Sequence, residues 1–115
     1  MIKLVSLKKS EEFKTVLKGK KIHTDFFSLF AFKNLRAQKS IRKLNISFVM
    51  KKKIGNSVKR NRIRRKLKAI IRKLLKINSA INLNYTYIVF GKPKAYIEKQ
   101  EKILPIMIKS FKRIN

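Results

Sequence analysis

The chain has 115 residues, 44% of them hydrophobic, and its 32 Lys and Arg outnumber five Asp and Glu to give a formal net charge of +27. This length and apolar content predict one folded domain over residues 1–115 and exclude a disordered tail, while the charge calls for a polyanion as partner. Because the chain has no Cys, no apolar run of about 18 residues and only a short apolar stretch at its start, we expect a cytoplasmic protein without disulfides, thiolate metal sites or membrane contact.

Residues 8–18 predict a short helix. Ser10 is placed to cap it, and Glu11 and Glu12 suit a first turn, where the helix dipole favours acids. Gly19 then ends the helix. The apolar stripe of this helix comprises Phe13, Val16 and Leu17. Two of the five acids are thereby given a local structural role.

Two strands are predicted next, after a segment at 20–25 that is either a loop or a first short strand. Residues 26–32 have the length and aromatic content of a strand, and their apolar character at both parities means that neither face is plainly solvated. After a polar basic loop at 34–43, residues 44–50 alternate in the manner of a strand with one face in the core.

A long basic helix is predicted from about Asn56, within a segment that begins at residue 51 and has twelve Lys and Arg, and no acid, before Lys76. Gly55 and Asn56 suit the turn and the N-cap that precede it. Basic residues then fill the first turns, where the dipole favours acids, so we expect the helix start to bind phosphate. Helical spacing predicts a buried face formed by Ile63, Leu67, Ile70, Ile71 and Leu74. The opposite side presents Asn61, Arg62, Arg65, Lys68, Arg72 and Lys76.

The C-terminal part predicts a strand at 85–90 and a last helix. Residues 78–84 form a polar connector, and residues 91–93 close the strand because proline cannot continue a ladder. The last helix begins at Ala95, and Pro105 either kinks it or restarts it. Its apolar residues are Ile97, Leu104, Ile108 and Phe111. The order α-β-β-α-β-α predicts an α+β fold, an α/β sandwich in which a small mixed sheet packs with three helices.

No catalytic constellation is visible in the sequence. His23 has no Cys partner and lies near Asp25 in a predicted loop, which favours an incidental surface histidine over a ligand or a general base. Glu98 and Glu101 are interpreted as surface ion-pair partners, and the two acids of the first helix as N-terminal helix residues. We therefore expect that the protein side chains perform no bond chemistry and bind no cofactor or metal.

Arginine placement and aromatic content indicate a nucleic acid as the polyanion. Five of the eight Arg lie at residues 60–72 in a chain that otherwise uses Lys, which favours selection for the bidentate guanidinium over codon bias. A small sheet that exposes aromatic side chains beside a basic helix is a recurring means of holding single-stranded nucleic acid, and Phe30 is the first candidate. For any single Phe, a place in the core is the more frequent alternative.

Residues 52–65 closely resemble the KK-x-GN-x-V-x-RNR-x-[KR]-R signature of the bacterial ribonuclease P protein subunit, in identity and in spacing. The resemblance extends to residues 7–13, 27–32 and 85–93 and so covers nearly the whole chain. It implies a left-handed βαβ crossover through the signature helix, against the general rule for such units. It also implies a subunit of an endoribonuclease whose catalytic RNA, with bound magnesium, removes the 5′ leader of precursor tRNA while the protein holds that leader in a cleft.

The resemblance also implies roles for individual residues. Contacts with the catalytic RNA are implied for Lys52, Lys53, Asn56, Arg60, Asn61, Arg62, Arg65 and Arg72. The leader cleft is implied to include Phe13, Phe30, Arg64 and Lys68. Departures from the family pattern at Leu17, Val49 and Lys51 predict weaker stacking and stronger charge in the cleft, and Pro105 is atypical in the last helix. The implied partners are the catalytic RNA, which brings the magnesium, and precursor tRNA; no protein partner is evident.

One alternative function is a small ribosomal or general RNA-binding protein without a catalytic role. Small size and high charge alone favour it, whereas the spacing of the signature favours the ribonuclease P subunit. A third class, an enzyme that acts alone, lacks the acid, the base and the metal ligands it would need.

Overall fold

The computed structural model describes residues 2–34, 43–77 and 79–114 and contains a five-stranded sheet with four α-helices in that part of the chain. A 3₁₀ turn, Lys52–Ile54, precedes the long helix. The strands are β1 (Lys3–Val5), β2 (Lys20–His23), β3 (Phe27–Lys33), β4 (Lys43–Val49) and β5 (Tyr85–Gly91). The helices are α1 (Ser10–Leu17), α2 (Ser57–Leu75), α3 (Lys94–Ile97) and α4 (Gln100–Ile114).

The sheet is mixed, with the strand order β1-β4-β5-β3-β2. Strand β4 pairs in parallel with both β1 and β5, and the pairs β5–β3 and β3–β2 are antiparallel. The chain passes from β4 to its parallel neighbour β5 through α2, as expected for a crossover connection. The predicted α+β class is confirmed, and the hand of the crossover stays a prediction.

One face of the sheet packs against α2 and α4 and forms the main hydrophobic core. Alternate residues of β3, β4 and β5 point to this side because successive strand residues face opposite ways. The predicted buried face of α2 is confirmed, since all five of its residues are fully buried. The ring centroids of Tyr87 and Phe111 lie 4.9 Å apart, which joins β5 to α4. The strand residues of this core include Phe27, Leu29, Ala31, Leu44, Ile46, Tyr87 and Val89.

The other face of the sheet packs against α1. Helix α1 contacts β3 and β5, and Val16 and Ile88 are buried outside the main core. Gly19 follows α1 and passes so close to β3 that a Cβ atom there would overlap the Ala31 carbonyl group. Both faces of β3 are therefore covered over part of its length, which explains its apolar residues at both parities.

Several predicted boundaries differ from those observed. The predicted N-cap of α1 was Ser10, but Ser10 is the first helical residue and the N-cap is Lys9. The Lys9 side chain makes no capping hydrogen bond. Strand β1 was not predicted because three residues show no usable period. The predicted basic loop at 34–43 lies largely outside the described residues.

The predicted last helix is two helices, α3 and α4, and Pro105 lies inside α4 rather than at a new helix start. Ile97, predicted on the apolar face of that helix, is 85% exposed in α3. Of the apolar residues predicted there, Phe111 is buried, and Leu104 and Ile108 are partly buried against the core. The buried face of α4 comprises Ile103, Met107, Ser110, Phe111 and Ile114.

Backbone carbonyl groups, rather than carboxylates, bind several lysine ammonium groups. Lys20 donates to Ile114 O at 2.6 Å, and Lys92 donates to Thr24 O at 2.6 Å. The described residues contain one ion pair, between Lys102 Nζ and Glu98 Oε1 at 3.9 Å on the surface. With so few acids, the fold uses lysines to hold the ends of its elements, in part because a cation at a helix C-terminus is favoured by the dipole.

Tyr87 links the core to the loop before β5. Its phenol donates a hydrogen bond to Asn82 O at 2.8 Å. Burial raises the pKa of the Tyr87 phenol well above its usual value, and Tyr85 adds to this rise. The folded protein therefore keeps this phenol neutral at a pH where the unfolded chain ionises it.

We predict that Tyr87→Phe lowers the free energy of unfolding by about 1 kcal/mol at neutral pH, because one hydrogen bond is lost. The stability that comes from the neutral phenol is fully present below the unfolded pKa of 10.0 and is lost as the pH rises above it. The variant has no such loss, so the gap between the two proteins should narrow above pH 10.0. Urea unfolding of both proteins at neutral and alkaline pH measures this gap, and a gap that widens would contradict the prediction.

Candidate nucleic-acid interface

Helix α2 begins with a cap that is favourable and a charge pattern that is not. The Asn56 side chain accepts a hydrogen bond from Lys59 N at 2.9 Å, which confirms the predicted N-cap. The first turn has no acidic residue. The partial positive charge of the helix N-terminus is therefore surrounded by further cations, which leaves a strong site for an anion.

The polar residues of α2 form three rows along its axis, set by the 100° step between helical residues. The outer row is exposed and contains Asn61, Arg65 and Arg72. The second row, which we call the β4 flank, contains Arg60, Arg64 and Lys68. The third row, the α3 flank, contains Lys59, Arg62 and Lys66. Residues of the predicted exposed side are thus divided among three surfaces.

The β4 flank lies beside the strand that precedes the helix. Arg64 donates a hydrogen bond from Nη1 to Asn61 Oδ1 at 2.6 Å, and Lys68 Nζ lies 5.9 Å from the centroid of the Phe48 ring. Arg60 Nε is buried without a hydrogen-bond partner among the described residues. Arg64 and Lys68 keep most of their hydrogen-bond donors available for a partner.

The α3 flank is held more firmly. Lys59 Nζ and Arg62 Cζ lie 5.1 Å and 5.6 Å from the centroid of the Tyr96 ring. Lys66 Nζ donates hydrogen bonds to three carbonyl oxygens, those of Ala95 at 2.8 Å, Tyr96 at 3.0 Å and Glu98 at 2.8 Å. Burial and then Arg62 lower the pKa of Lys66, which the Glu98 carboxylate partly offsets.

A cleft of about 680 Å³ opens on the α1 side of the sheet. At its base, Phe30 and Phe90 pack edge to face with ring centroids 5.4 Å apart. These two residues are diagonal neighbours on β3 and β5, since Phe30 pairs with Ile88 and Phe90 with Ser28. The cleft is lined by Leu17, Lys21, His23, Ser28, Phe30, Lys51, Lys53, Ile54, Phe90, Gly91, Lys92 and Pro93.

Cations surround the aromatic base of this cleft. Lys21 Nζ lies 5.8 Å from the Phe30 centroid, and Lys51 Nζ lies 5.6 Å from the Phe90 centroid. No Asp or Glu is among the lining residues. An aromatic base with a cationic rim suits a single-stranded nucleic acid, whose bases stack and whose phosphates need counter-charge. Leu17 and Lys51, the two departures that line the cleft, supply an aliphatic surface and a charge.

The structure brings together only some of the residues implied for a leader cleft. Phe30 lines the cleft, whereas Phe13, Arg64 and Lys68 do not. Phe30 faces the α1 side, and α2 packs on the opposite face, because neighbouring strand residues alternate. Lys53, implied to contact the catalytic RNA, is also part of the cleft lining. The roles of these residues stay predictions.

Sequence reasoning missed several lining residues of the cleft. The alternation along β5 could have placed Phe90 beside Phe30, once Val89 was assigned to the core. His23 was predicted in a loop, but it lies at the end of β2, where its Nδ1 is 2.7 Å from Ser28 Oγ and its ring is 6.1 Å from that of Phe30. Only the pairing of β2 with β3 reveals this placement.

The described residues form neither a metal-binding cluster nor a membrane-spanning helix. Residues 2–34, 43–77 and 79–114 contain no group of three or more His, Cys, Asp or Glu side chains that could hold a metal ion. Over the same ranges, no helix has the length and apolar character needed to cross a bilayer.

Comparison with known proteins identifies the family. The sequence profile of the family described as "Ribonuclease P" matches residues 1–115. The chain belongs to the ribonuclease P protein family. This membership confirms the resemblance that the signature indicates.

Two curated relatives carry the name "Ribonuclease P protein component". The one from Natranaerobius thermophilus is 36% identical over 73 residues. The one from Finegoldia magna is 38% identical over 73 residues. Each alignment covers 63% of this chain and 59% of the relative, so the chain matches less than two thirds of the length of either.

Solved structures show the same fold. The RNase P protein of Staphylococcus aureus is 23% identical, with a TM-score of 0.68 over 95% of this chain and 93% of that one. The RNase P protein from Thermotoga maritima is 20% identical, with a TM-score of 0.72 over 96% of this chain and 98% of that one. At these sequence identities, the similarity supports only the fold of this ribonuclease P family member.

The α2 N-cap gives a direct test of the charge pattern. Aspartate caps a helix as well as asparagine does, and its charge interacts favourably with the dipole and the nearby cations. We therefore predict that Asn56→Asp raises the free energy of unfolding by about 0.3–1 kcal/mol, whereas Asn56→Ala lowers it by about 1 kcal/mol. The same Asp should weaken binding of a polyanion such as RNA. Urea unfolding and RNA titration test both effects, and tighter RNA binding by Asn56→Asp would contradict the prediction.

Proposed function

We propose that this chain is the protein subunit of the ribonuclease P ribonucleoprotein and assists removal of the 5′ leader from precursor tRNA. The observation that carries the proposal is the pairing of an exposed cationic helix with a separate aromatic and basic cleft on one small domain. The helix suits a structured RNA and the cleft suits a single strand. Family membership supports the same assignment. The cytoplasm stays the predicted location.

The proposed contact with the catalytic RNA runs along α2 and the turn before it. The outer row and the N-terminus of α2 present guanidinium and ammonium groups with no carboxylate in the first turn. Lys52 and Lys53 are exposed in the preceding 3₁₀ turn. Guanidinium groups bind phosphate in a bidentate manner, and each phosphate contact releases counterions from the RNA. We expect this surface to supply most of the affinity and its salt dependence.

The proposed contact with the leader is in the cleft. Phe30 and Phe90 offer ring edges and faces to unpaired bases, and Lys21, Lys51 and Lys53 lie where phosphates of the same strand would pass. Stacking on aromatic side chains tolerates any base, which suits leaders of varied sequence. Single-strand geometry is required, because a duplex would hide its bases from the rings.

Bond cleavage is assigned to the catalytic RNA and its magnesium, and the protein contributes binding and orientation. The cleft lining agrees with this division, because its titratable groups are one histidine and four lysines, and it has no carboxylate to serve as a general acid–base pair. Proximity is the expected source of the assistance: a substrate held at the leader reaches the RNA active centre at a lower magnesium concentration.

We predict that Arg65→Ala impairs assembly with the catalytic RNA or cleavage at limiting magnesium, because an exposed guanidinium of the outer row is lost. The free variant should keep its fold, as an exposed side chain without a hydrogen bond or ion pair to the described residues contributes little to stability. Arg113→Ala, which removes an exposed arginine from α4, is the matched control. Cleavage of precursor tRNA across a magnesium series measures the effect. Normal processing by Arg65→Ala would count against the assignment of α2.

We predict that Phe30→Ala weakens binding of precursor tRNA to the holoenzyme by about 1–3 kcal/mol, the typical value for one stacked base. Binding of mature tRNA, which has no leader, should be unchanged. Phe32→Ala on the same strand and the same face is the control, because Phe32 does not line the cleft. Equal losses for precursor and mature tRNA would refute the assignment of the cleft.

Reconstitution with a catalytic RNA separates the proposed function from that of a small ribosomal or general RNA-binding protein. Leader removal is measured with and without the protein over a range of magnesium concentrations. Stimulation at low magnesium supports the ribonuclease P subunit. Salt-sensitive RNA binding without stimulation supports the general RNA-binding protein, and cleavage by RNA-free protein would indicate an enzyme that acts alone.

A further inference from the structure

We propose that Lys59 and Arg62 form a two-cation clamp for a phosphate of the catalytic RNA, and that Tyr96 and Lys66 are positioning residues that hold this clamp in place. The proposal rests on the proposed function and extends it, because it adds Lys59 to the RNA-binding residues and gives α3 a role. Arg62 is the only member of the four that the signature implied.

The Tyr96 ring restricts both cations. Lys59 Nζ lies 5.1 Å and Arg62 Cζ lies 5.6 Å from the ring centroid, within the range of a cation–π interaction. Lysine and arginine otherwise sample many rotamers, and ordering them costs free energy when they bind. A ring that already holds them reduces this cost. The edge of a guanidinium that lies over a ring stays available for a bidentate contact with phosphate.

Lys66 fixes the ring in turn. Its ammonium donates to the carbonyl oxygens of Ala95, Tyr96 and Glu98, and so uses all three of its N–H groups at the end of α3. A four-residue helix has little stability of its own, so this contact joins α3 to α2. Lys66 therefore acts on the position of Tyr96 and has no free donor for RNA.

The charges around the clamp favour an anion as its partner. Lys59 and Arg62 have no carboxylate within ion-pair distance in the described part of the chain. Glu98, the acid next to α3, accepts from Lys99 N at 3.2 Å and lies 3.9 Å from Lys102 Nζ. After burial, the second cause that lowers the pKa of Lys66 is the positive charge of Arg62, because two neighbouring cations repel each other. A phosphate between Lys59 and Arg62 would relieve that repulsion.

The clamp continues the α2 surface rather than the leader cleft. Lys59 and Arg62 lie on the helix whose outer row contains Arg65, and α3 packs against α2. Phe30 lies on the other face of the sheet, where α1 packs. The structured catalytic RNA is therefore the partner that the geometry favours over the leader strand.

The test is equilibrium binding of the full chain to the catalytic RNA over a series of salt concentrations. Tyr96→Phe keeps the ring and should bind as the unaltered chain does. Tyr96→Leu removes the cation–π contacts and should weaken binding about 5-fold, with the slope of log K against log salt reduced by about 1, the value for one lost phosphate contact. Lys66→Met should weaken binding in the same direction. A merely structural role for Tyr96 would leave the salt slope unchanged.

A double-mutant comparison separates failure of this inference from failure of the proposed function. In the Lys59→Ala plus Arg62→Ala background, Tyr96→Leu should have no further effect on binding. Full additivity, or an unchanged salt slope for Tyr96→Leu while Lys59→Ala and Arg62→Ala weaken binding, would overturn the positioning role. If Arg65→Ala weakens binding but Lys59→Ala and Arg62→Ala do not, the clamp is wrong and the function stands. If none of the three α2 variants weakens binding, both proposals are wrong.

Discussion

Electrostatic repulsion along α2 is the constraint on which the rest of the structure depends. The helix and the turn before it have no acidic side chain, and the described part of the chain has one ion pair in total. A fully buried apolar face holds α2 against β4, β5 and α4 in spite of this repulsion. The hydrophobic core therefore stabilises a surface that is unfavourable in the free protein. An RNA partner would supply the missing negative charge.

The fold manages its excess of cations in three ways. Some lysines donate to backbone carbonyl groups, as Lys20, Lys66 and Lys92 do. Others lie over aromatic rings, as Lys51 does over Phe90. A third group, which includes Arg65 and Arg72, is exposed and has no hydrogen-bond or ion-pair partner in the described structure. The first two groups position elements, and the third is the part of the surface most available for phosphate.

Segment 51–56 connects the two proposed RNA surfaces. Lys51 and Lys53 line the cleft proposed to hold the leader, and Asn56 caps the helix proposed to contact the catalytic RNA. The same short connection between β4 and α2 therefore lies at the edge of both surfaces. We infer that RNA bound on α2 and a strand bound in the cleft would approach each other at this segment, which suits a protein that places a substrate beside a catalytic RNA.

The sequence was sufficient where a period or a motif was long enough to read. The apolar residues of α2 repeat over about three turns from Ile63 to Leu74, so its buried face was predicted correctly. The Asn56 cap was predicted correctly from its residue type. Strand β1 is three residues long and pairs with β4 about forty residues later, which local reasoning cannot detect. Ile97 was assigned to the core because it continued an apolar pattern, but the break before α4 exposes it. The alternation along β5 indicates which face Phe90 lies on, but its contact with Phe30 depends on the pairing of β3 with β5. The carbonyl contacts of Lys66 leave no local signal, because they depend on packing between distant segments.

The central claim is that the cations of α2 are uncompensated within the protein itself. The most direct test is the free energy of unfolding of the free chain, measured by urea denaturation as sodium chloride rises from about 0.01 M to about 1 M, which shortens the screening length from about 30 Å to about 3 Å. If the cations repel one another without internal partners, stability must rise over this range as the repulsion is screened. A free energy of unfolding that stays constant or falls with salt would contradict the account.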